Sequence, residues 1–135
     1  MIKVLIFLIA ALLASTATAA QLACPKVTPV DWGRSQKKLE SVRVMSYPIT
    51  TVPGADREYY ATPPWEEREK DGFIYQTWHV NRDANEFKYE VDCIYSGTAR
   101  YFSLELGGVS MCTARWRTRR NHGVLPGTLE FFCKK

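Results

Sequence analysis

The residues of this 135-residue chain best equipped for chemistry are four cysteines, Cys24, Cys93, Cys112 and Cys133. A free thiol is a nucleophile or a metal ligand, whereas two thiols in an oxidising compartment form a crosslink. Metal binding has little to build on, because no C-x-x-C pair occurs and the histidines are His79 and His122 alone. What precedes Cys24 decides among the other roles. MIKVLIFLIAALL followed by ASTATAA has the charged, apolar, small-residue order of a secretory signal peptide, and Ala17-Thr18-Ala19 fits its cleavage rule. Residues 1–19 are expected to be removed and residues 20–135 to form one domain. The apolar run falls short of the roughly 20 residues that cross a bilayer, so no membrane span is expected after signal removal. Lipid attachment at Cys24 would want Leu where Gln21 stands, and Leu22 comes one place late. Export therefore turns the even cysteine count into a framework of two disulfides, with three connectivities open.

Other catalytic constellations are weaker. A nucleophile needs a base beside it, yet His79 sits next to Trp78 in a strand-like run and His122 lies in the loop RTRRNHGVLPG, neither within a nucleophile motif. Glu66, Glu67, Glu69 and Asp71 offer carboxylates that could in principle serve glycoside hydrolysis, but such a run is ordinarily a solvated face. No phosphate loop, metal motif or dinucleotide fingerprint is present. The expectation is a protein that is not an enzyme and needs no cofactor.

Binding is better supported. Arg115, Arg117, Arg119 and Arg120 gather on one strand and its following loop, with Trp116 among them and His122 close behind. Arg and Trp are frequent interface anchors, and a basic loop on a rigid β scaffold suits an acidic cleft. The competing reading has alternate arginines facing solvent beside a core tryptophan. A second candidate surface is YYATPPWEEREK, whose Tyr59, Tyr60 and Trp65 are amphipathic and either form a contact patch or cover one end of the sheet. The net charge of +4 falls to +3 once Lys3 leaves with the signal, too mild a balance to point to nucleic acid.

These residues must be positioned by strands. Ala20 to Lys38 has no clean period and reads as an irregular arm pinned by Cys24. SVRVMSYPI alternates Val42, Val44 and Ser46 with Arg43 and Met45, and Thr50 to Asp71 is a loop-rich excursion holding one short strand, REYYAT, and room for a helical turn in WEEREK. GFIYQTWHV, EFKYEVDCIY, TARYFSLEL, VSMCTARWRT and GTLEFFC follow as five runs rich in aromatic and β-branched residues, which predicts an antiparallel meander. The whole is expected to be an all-β domain, a small antiparallel sheet or barrel of about six to seven strands.

Register arithmetic constrains the disulfides. With Ser96-Gly97 as a two-residue turn, Val91 pairs with Phe102, Tyr89 with Leu104 and Phe87 with Leu106, all sharing the face of Cys93. A second two-residue turn at Gly107-Gly108 pairs Leu104 with Met111 and sends Cys112 to the face opposite Cys93, so those two could not bond. Taking Arg119 to Pro126 as the last loop pairs Trp116 with Leu129, Ala114 with Phe131 and Cys112 with Cys133. The loop is long enough to admit other registers, but this one favours Cys112–Cys133 and leaves Cys24–Cys93.

Cys24-Pro25, Pro63-Pro64, Trp78, Cys93-Ile94-Tyr95-Ser96-Gly97-Thr98, Cys112 and Cys133 together resemble a family of small exported proteobacterial proteins of uncharacterised role. The long basic stretch between Cys112 and Cys133 departs from that family's pattern. The resemblance implies an envelope location and a disulfide scaffold, and no activity. Ser96-Gly97 followed by Tyr101 is similar, more faintly, to the periplasmic C-type lysozyme inhibitors, whose mode is a small β-barrel presenting a polar loop to an enzyme's cleft. The expected role is thus a periplasmic or secreted bacterial binding protein, an inhibitor or immunity-type protein acting on a cell-wall hydrolase or a toxin. An envelope accessory protein that binds a protein or a glycan is the alternative, and an envelope hydrolase the third.

Overall fold

The computed structural model describes residues 22–50, 58–121 and 123–135. The expected signal peptide of residues 1–19 and the binding residue read at His122 lie outside the described residues. Nine strands are described: β1 (Leu22–Ala23), β2 (Leu39–Pro48), β3 (Tyr60–Ala61), β4 (Glu66–Lys70), β5 (Phe73–His79), β6 (Phe87–Tyr95), β7 (Tyr101–Glu105), β8 (Met111–Arg117) and β9 (Glu130–Lys134). They form two antiparallel sheets, ordered β1-β9-β8-β5-β4 and β3-β2-β6-β7. The all-β class is as expected, but the five aromatic-rich runs divide between two sheets instead of forming one meander.

Period-two alternation explains which side of each strand is buried. Along β8, Cys112, Ala114 and Trp116 are buried, while Arg115 and Arg117 point away from the core. Val44, Val91, Cys93 and Tyr95 from one sheet join Ile74, Trp78, Cys112, Ala114 and Phe131 from the other in a single cluster. The two inner faces thus share one core.

Two of the three expected hairpins differ from their simplest form. Cys93 pairs with Phe102 and Val91 with Leu104, a slip of two residues from the two-residue turn at Ser96-Gly97. The slip keeps every side chain on its expected face, because the period is two. Its cause is that the backbone N–H of Ser96 donates to Lys38 O, 3.0 Å, extending the β2–β6 ladder, while Thr98 Oγ1 accepts the N–H of Arg100, 3.2 Å. The turn therefore lengthens to reach Tyr101.

Gly107-Gly108 is no hairpin at all. Met111 pairs with His79 and Lys134, in the other sheet from Leu104. Leu106 and Val109 are both buried, and the Asn81 side-chain amide donates to the carbonyls of each at 2.6 Å, which fixes this crossing from sheet to sheet. Cys93 and Cys112 consequently both face the core, each fully buried, and the expectation that they leave one sheet in opposite directions is overturned. The helical turn in WEEREK is also absent. Glu66–Lys70 is a strand, joined to β5 through Asp71 (φ 53°) and Gly72 (φ 78°), the left-handed pair that a tight hairpin turn requires.

The disulfides are Cys24–Cys93 and Cys112–Cys133. Cys112 pairs with Cys133 and Ala114 with Phe131, as expected, while the ladder ends at Arg115–Glu130 short of the expected Trp116–Leu129 pair, because Thr118 bridges Val124 instead; the Cα atoms of Cys112 and Cys133 are 4.0 Å apart. Such crosslinks form and persist outside the reducing cytoplasm, so the chain reads as extracytoplasmic. Among the described residues no helix is long and apolar enough to cross a membrane.

Cys24–Cys93 closes a separation of 69 residues and Cys112–Cys133 one of 21. Chain-entropy arithmetic assigns them about 4 and about 3 kcal/mol. Urea unfolding with and without reductant should show the midpoint dropping sharply on reduction, with Cys24→Ala plus Cys93→Ala costing more than Cys112→Ala plus Cys133→Ala.

Candidate functional site

Residues 24–39 carry the arm back across the end of the sheets. Val27 bridges Lys38, the N–H of Thr28 donates to Lys37 O at 2.9 Å, the N–H of Lys37 returns a bond to Thr28 Oγ1 at 2.8 Å, and Leu39 N donates to Lys26 O at 2.8 Å. The arm is thus a hairpin, not an irregular tail, with a short 3-10 turn at Val30–Trp32 near its tip. Three contacts fasten it. Cys24 is crosslinked to Cys93, Tyr95 Oη donates to Pro25 O at 2.6 Å, and the Trp32 ring stacks on Phe102 with centroids 4.6 Å apart. Arg100 lies over the same indole at 4.4 Å.

This hairpin brings cations to the basic loop. Arg119, Lys38, Leu39, Glu40, Ser96, Val124 and Pro126 line a cavity of about 150 Å³ between the arm and the loop that follows β8. The loop is ordered by a Thr118–Val124 bridge and by the N–H of Arg119 donating to Gly123 O at 2.8 Å. Lys38 also packs against Gly127, whose φ of +81° suits a residue without a side chain. One end of the molecule therefore carries Arg34, Lys37, Lys38, Arg100, Arg119 and Arg120. No described carboxylate forms an ion pair with any of these six, whereas Lys26, Arg43 and Arg115 are so paired.

The four arginines singled out in the sequence thus separate. Arg115 and Arg117 belong to the outer face of the five-stranded sheet, where both lie over Phe73 at 5.6 and 4.5 Å, and Arg68 lies over Tyr75 at 5.5 Å. Arg115 Nε donates to Glu130 Oε2 at 2.8 Å, which raises the guanidinium pKa further. Glu130 is held below the usual carboxylate range by Lys26 first and by Arg115 after it, against the opposing effect of burial. Trp116 is core and not an anchor, its indole N–H having no partner among the described residues. Arg119 joins the arm, and Arg120 is exposed beside it.

Tyr59, Tyr60 and Trp65 lie at the opposite end, so the two surfaces read from the sequence are not one site. Each is more than a third exposed. Tyr59 packs edge-on against buried Tyr47, and Trp65 packs edge-on against His79 with Arg82 over its ring. A bond to Glu58 raises the Tyr60 phenol pKa. Two cavities meet near them at Phe87. One, of about 450 Å³, is lined by Tyr47, Asn81, Lys88, Tyr89 and Glu105 among others, and the second, of about 350 Å³, by Ser46, Pro48, Tyr60 and Asp83. The carboxylates of β4 are all on exposed positions of an edge strand, where Gln76 Nε2 donates to Glu67.

The arm cations and the Phe87 cavities escaped sequence reasoning. Lys37-Lys38 lay in a segment without period, and nothing in the one-letter string ties it to Ser96 or Arg119. Phe87, by contrast, opened a recognisable strand, and its neighbours were a matter of loop placement.

No protein-family model matches this chain, and comparison with curated proteins and with solved structures likewise finds no match. The resemblance to small exported proteobacterial proteins is carried by the quoted cysteine and glycine pattern alone.

Burial pushes the Tyr95 phenol up to about 12, and burial with the bond to Asp83 does the same for Tyr89. Both protons are held more tightly in the folded state than in the unfolded one. The stability this linkage supplies is complete below the ordinary tyrosine range and is lost as pH rises from about 10 towards 12. Ultraviolet titration should show Tyr89 and Tyr95 ionising late, and Tyr95→Phe should remove one late-ionising group and loosen the arm.

Proposed function

We propose that this protein is an exported binding domain of the bacterial periplasm, or one released from the cell, that inhibits a cell-wall-directed or envelope enzyme. Its basic end enters an acidic cleft of that partner. The observation that carries the reading is the clustering of Arg34, Lys37, Lys38, Arg100, Arg119 and Arg120 at one end, none in an ion pair with a described carboxylate. Cations left without internal partners keep their full capacity for charge-assisted bonds to another surface, and a positive end steers association with a negative one. The disulfide-fastened arm and the braced loop hold them on a rigid scaffold, which lowers the ordering cost of binding.

The aromatic end favours a second reading, an accessory role in binding an envelope protein or glycan. Tyr47, Tyr60, Phe87 and Tyr89 border adjoining cavities with Ser46, Asp83, Lys88 and Glu105 as polar neighbours, a mixture of ring surface and hydrogen-bonding groups suited to a sugar.

The test is capture from envelope extract, and from a panel of lysozymes, with oxidised mature protein as bait. A stoichiometric hydrolase whose activity falls on binding is the expected result. Combining Arg119→Ala with Arg120→Ala should weaken that complex by about tenfold or more, since each lost charged contact removes at least 1 kcal/mol or so. Wild-type affinity in the double variant, with the disulfides and fold intact, would remove the basic loop from the mechanism.

A further inference from the structure

Beside the Arg119 loop, and distinct from it, lies a cavity of about 270 Å³ between the arm's tip and the turn after β6. Thr28, Trp32, Gly33, Arg34, Ser35, Lys37, Gly97 and Thr98 line it. We propose that this cavity is an oxyanion site that takes a phosphate- or carboxylate-bearing small group.

Five of the eight lining residues carry cationic or hydroxyl side chains that can donate. The lining contains two cations, three hydroxyls and no carboxylate. The Lys37 side chain runs beside the turn, its Nζ and Cε 3.7 Å from where a Cβ on Gly97 would sit. Gly97 has φ +71°, so the turn brings bare backbone to the cavity at a position that strongly favours glycine. Thr28 is 2% exposed, and its Oγ1 already accepts the N–H of Lys37. Thr98 Oγ1 likewise accepts the N–H of Arg100. Among the described residues neither hydroxyl hydrogen is given to an acceptor, so both remain able to donate.

Charge adds to this donor set. Arg34 and Lys37 are free of ion pairs with described carboxylates, and the Arg100 guanidinium over Trp32 contributes a third positive charge nearby. Asp31 lies in the adjoining turn and is outside the lining. A cationic ligand would be repelled by these charges, and a neutral one would leave them uncompensated. An oxyanion pairs with the guanidinium fork and the ammonium at once, and its remaining oxygens accept from the hydroxyls. The wall is braced: Phe102 stacks on Trp32, Arg100 lies over the same ring, and Cys24–Cys93 anchors the base of the hairpin.

The site is tested by amide chemical-shift titration of the oxidised mature protein with inorganic phosphate, ionic strength being kept constant with sodium chloride. Saturable shifts centred on Arg34, Lys37, Gly97 and Thr98 are expected. Lys37→Ala and Arg34→Gln should each weaken binding by about tenfold, whereas Arg119→Ala plus Arg120→Ala should leave it unchanged. The last comparison separates this site from the inhibitor reading, which can fail while phosphate binding stands. Parallel titrations with glycerol 3-phosphate and with acetate identify the source: a response to the ester alone assigns a phosphate group, and a response to acetate alone a carboxylate. Shifts that rise linearly and match those of chloride would overturn the proposal, as would unchanged affinity in Arg34→Gln, an exposed position whose replacement leaves the fold in place.

Discussion

The crosslink between Cys24 and Cys93 is the constraint on which the interesting end of the molecule depends. Cys93 sits at full burial in the middle of the four-stranded sheet, while Cys24 follows directly from the strand that edges the five-stranded one. The bond therefore joins the two sheets as well as pinning the arm. Tyr95, two residues further along β6, donates to Pro25 and repeats the attachment with a hydrogen bond. Cations on the arm are consequently positioned by the hydrophobic core and not by local propensity, which the sequence of the arm scarcely offers. Lys37 and Arg34 face the turn after β6 because the chain on either side of them is held by buried groups.

A second consequence of the shared core concerns polar residues on the outer faces. Arg43, Asp92 and Ser103 form a row across β2, β6 and β7, in which Arg43 donates through Nε and Nη2 and Ser103 through its hydroxyl to a carboxylate that is 5% exposed. A buried charge so completely bonded fixes the pairing of three strands, since a one-residue slip would leave it without partners. This row supports from outside the register that Cys93 and its neighbours set from within.

Much of the architecture was legible because its determinants are local. Strand positions followed from alternation, and the pairing of Cys112 with Cys133 followed from an apolar stripe that coincides with the cysteines in one register. What was missed depended on tertiary bonds. Ser96 N and Asn81 are engaged by Lys38 O and by the carbonyls flanking Gly107-Gly108, and no short-range rule reveals either partner. Asp71-Gly72 is a different kind of miss. That dipeptide is a strong hairpin signal, and counting Asp71 among the carboxylates obscured it. For the candidate site the limit was sharper still: residue type pointed to Arg119 and Arg120, but the company they keep is set by an arm some eighty positions earlier in the chain.

The edges of the two sheets complete the account. Of the four edge strands among the described residues, β1 and β3 are two residues long, and β4 reads Glu-Glu-Arg-Glu-Lys with every position exposed. Brevity leaves too few backbone groups to template another chain, and a fully charged strand makes alignment with a neighbour costly in desolvation and repulsion. A protein held by two disulfides is not secured until its thiols oxidise, and until then it exposes β-forming sequence. Short or charged borders on three of the four edges guard against aggregation in that interval; β7, Tyr-Phe-Ser-Leu-Glu, is the edge left without either device.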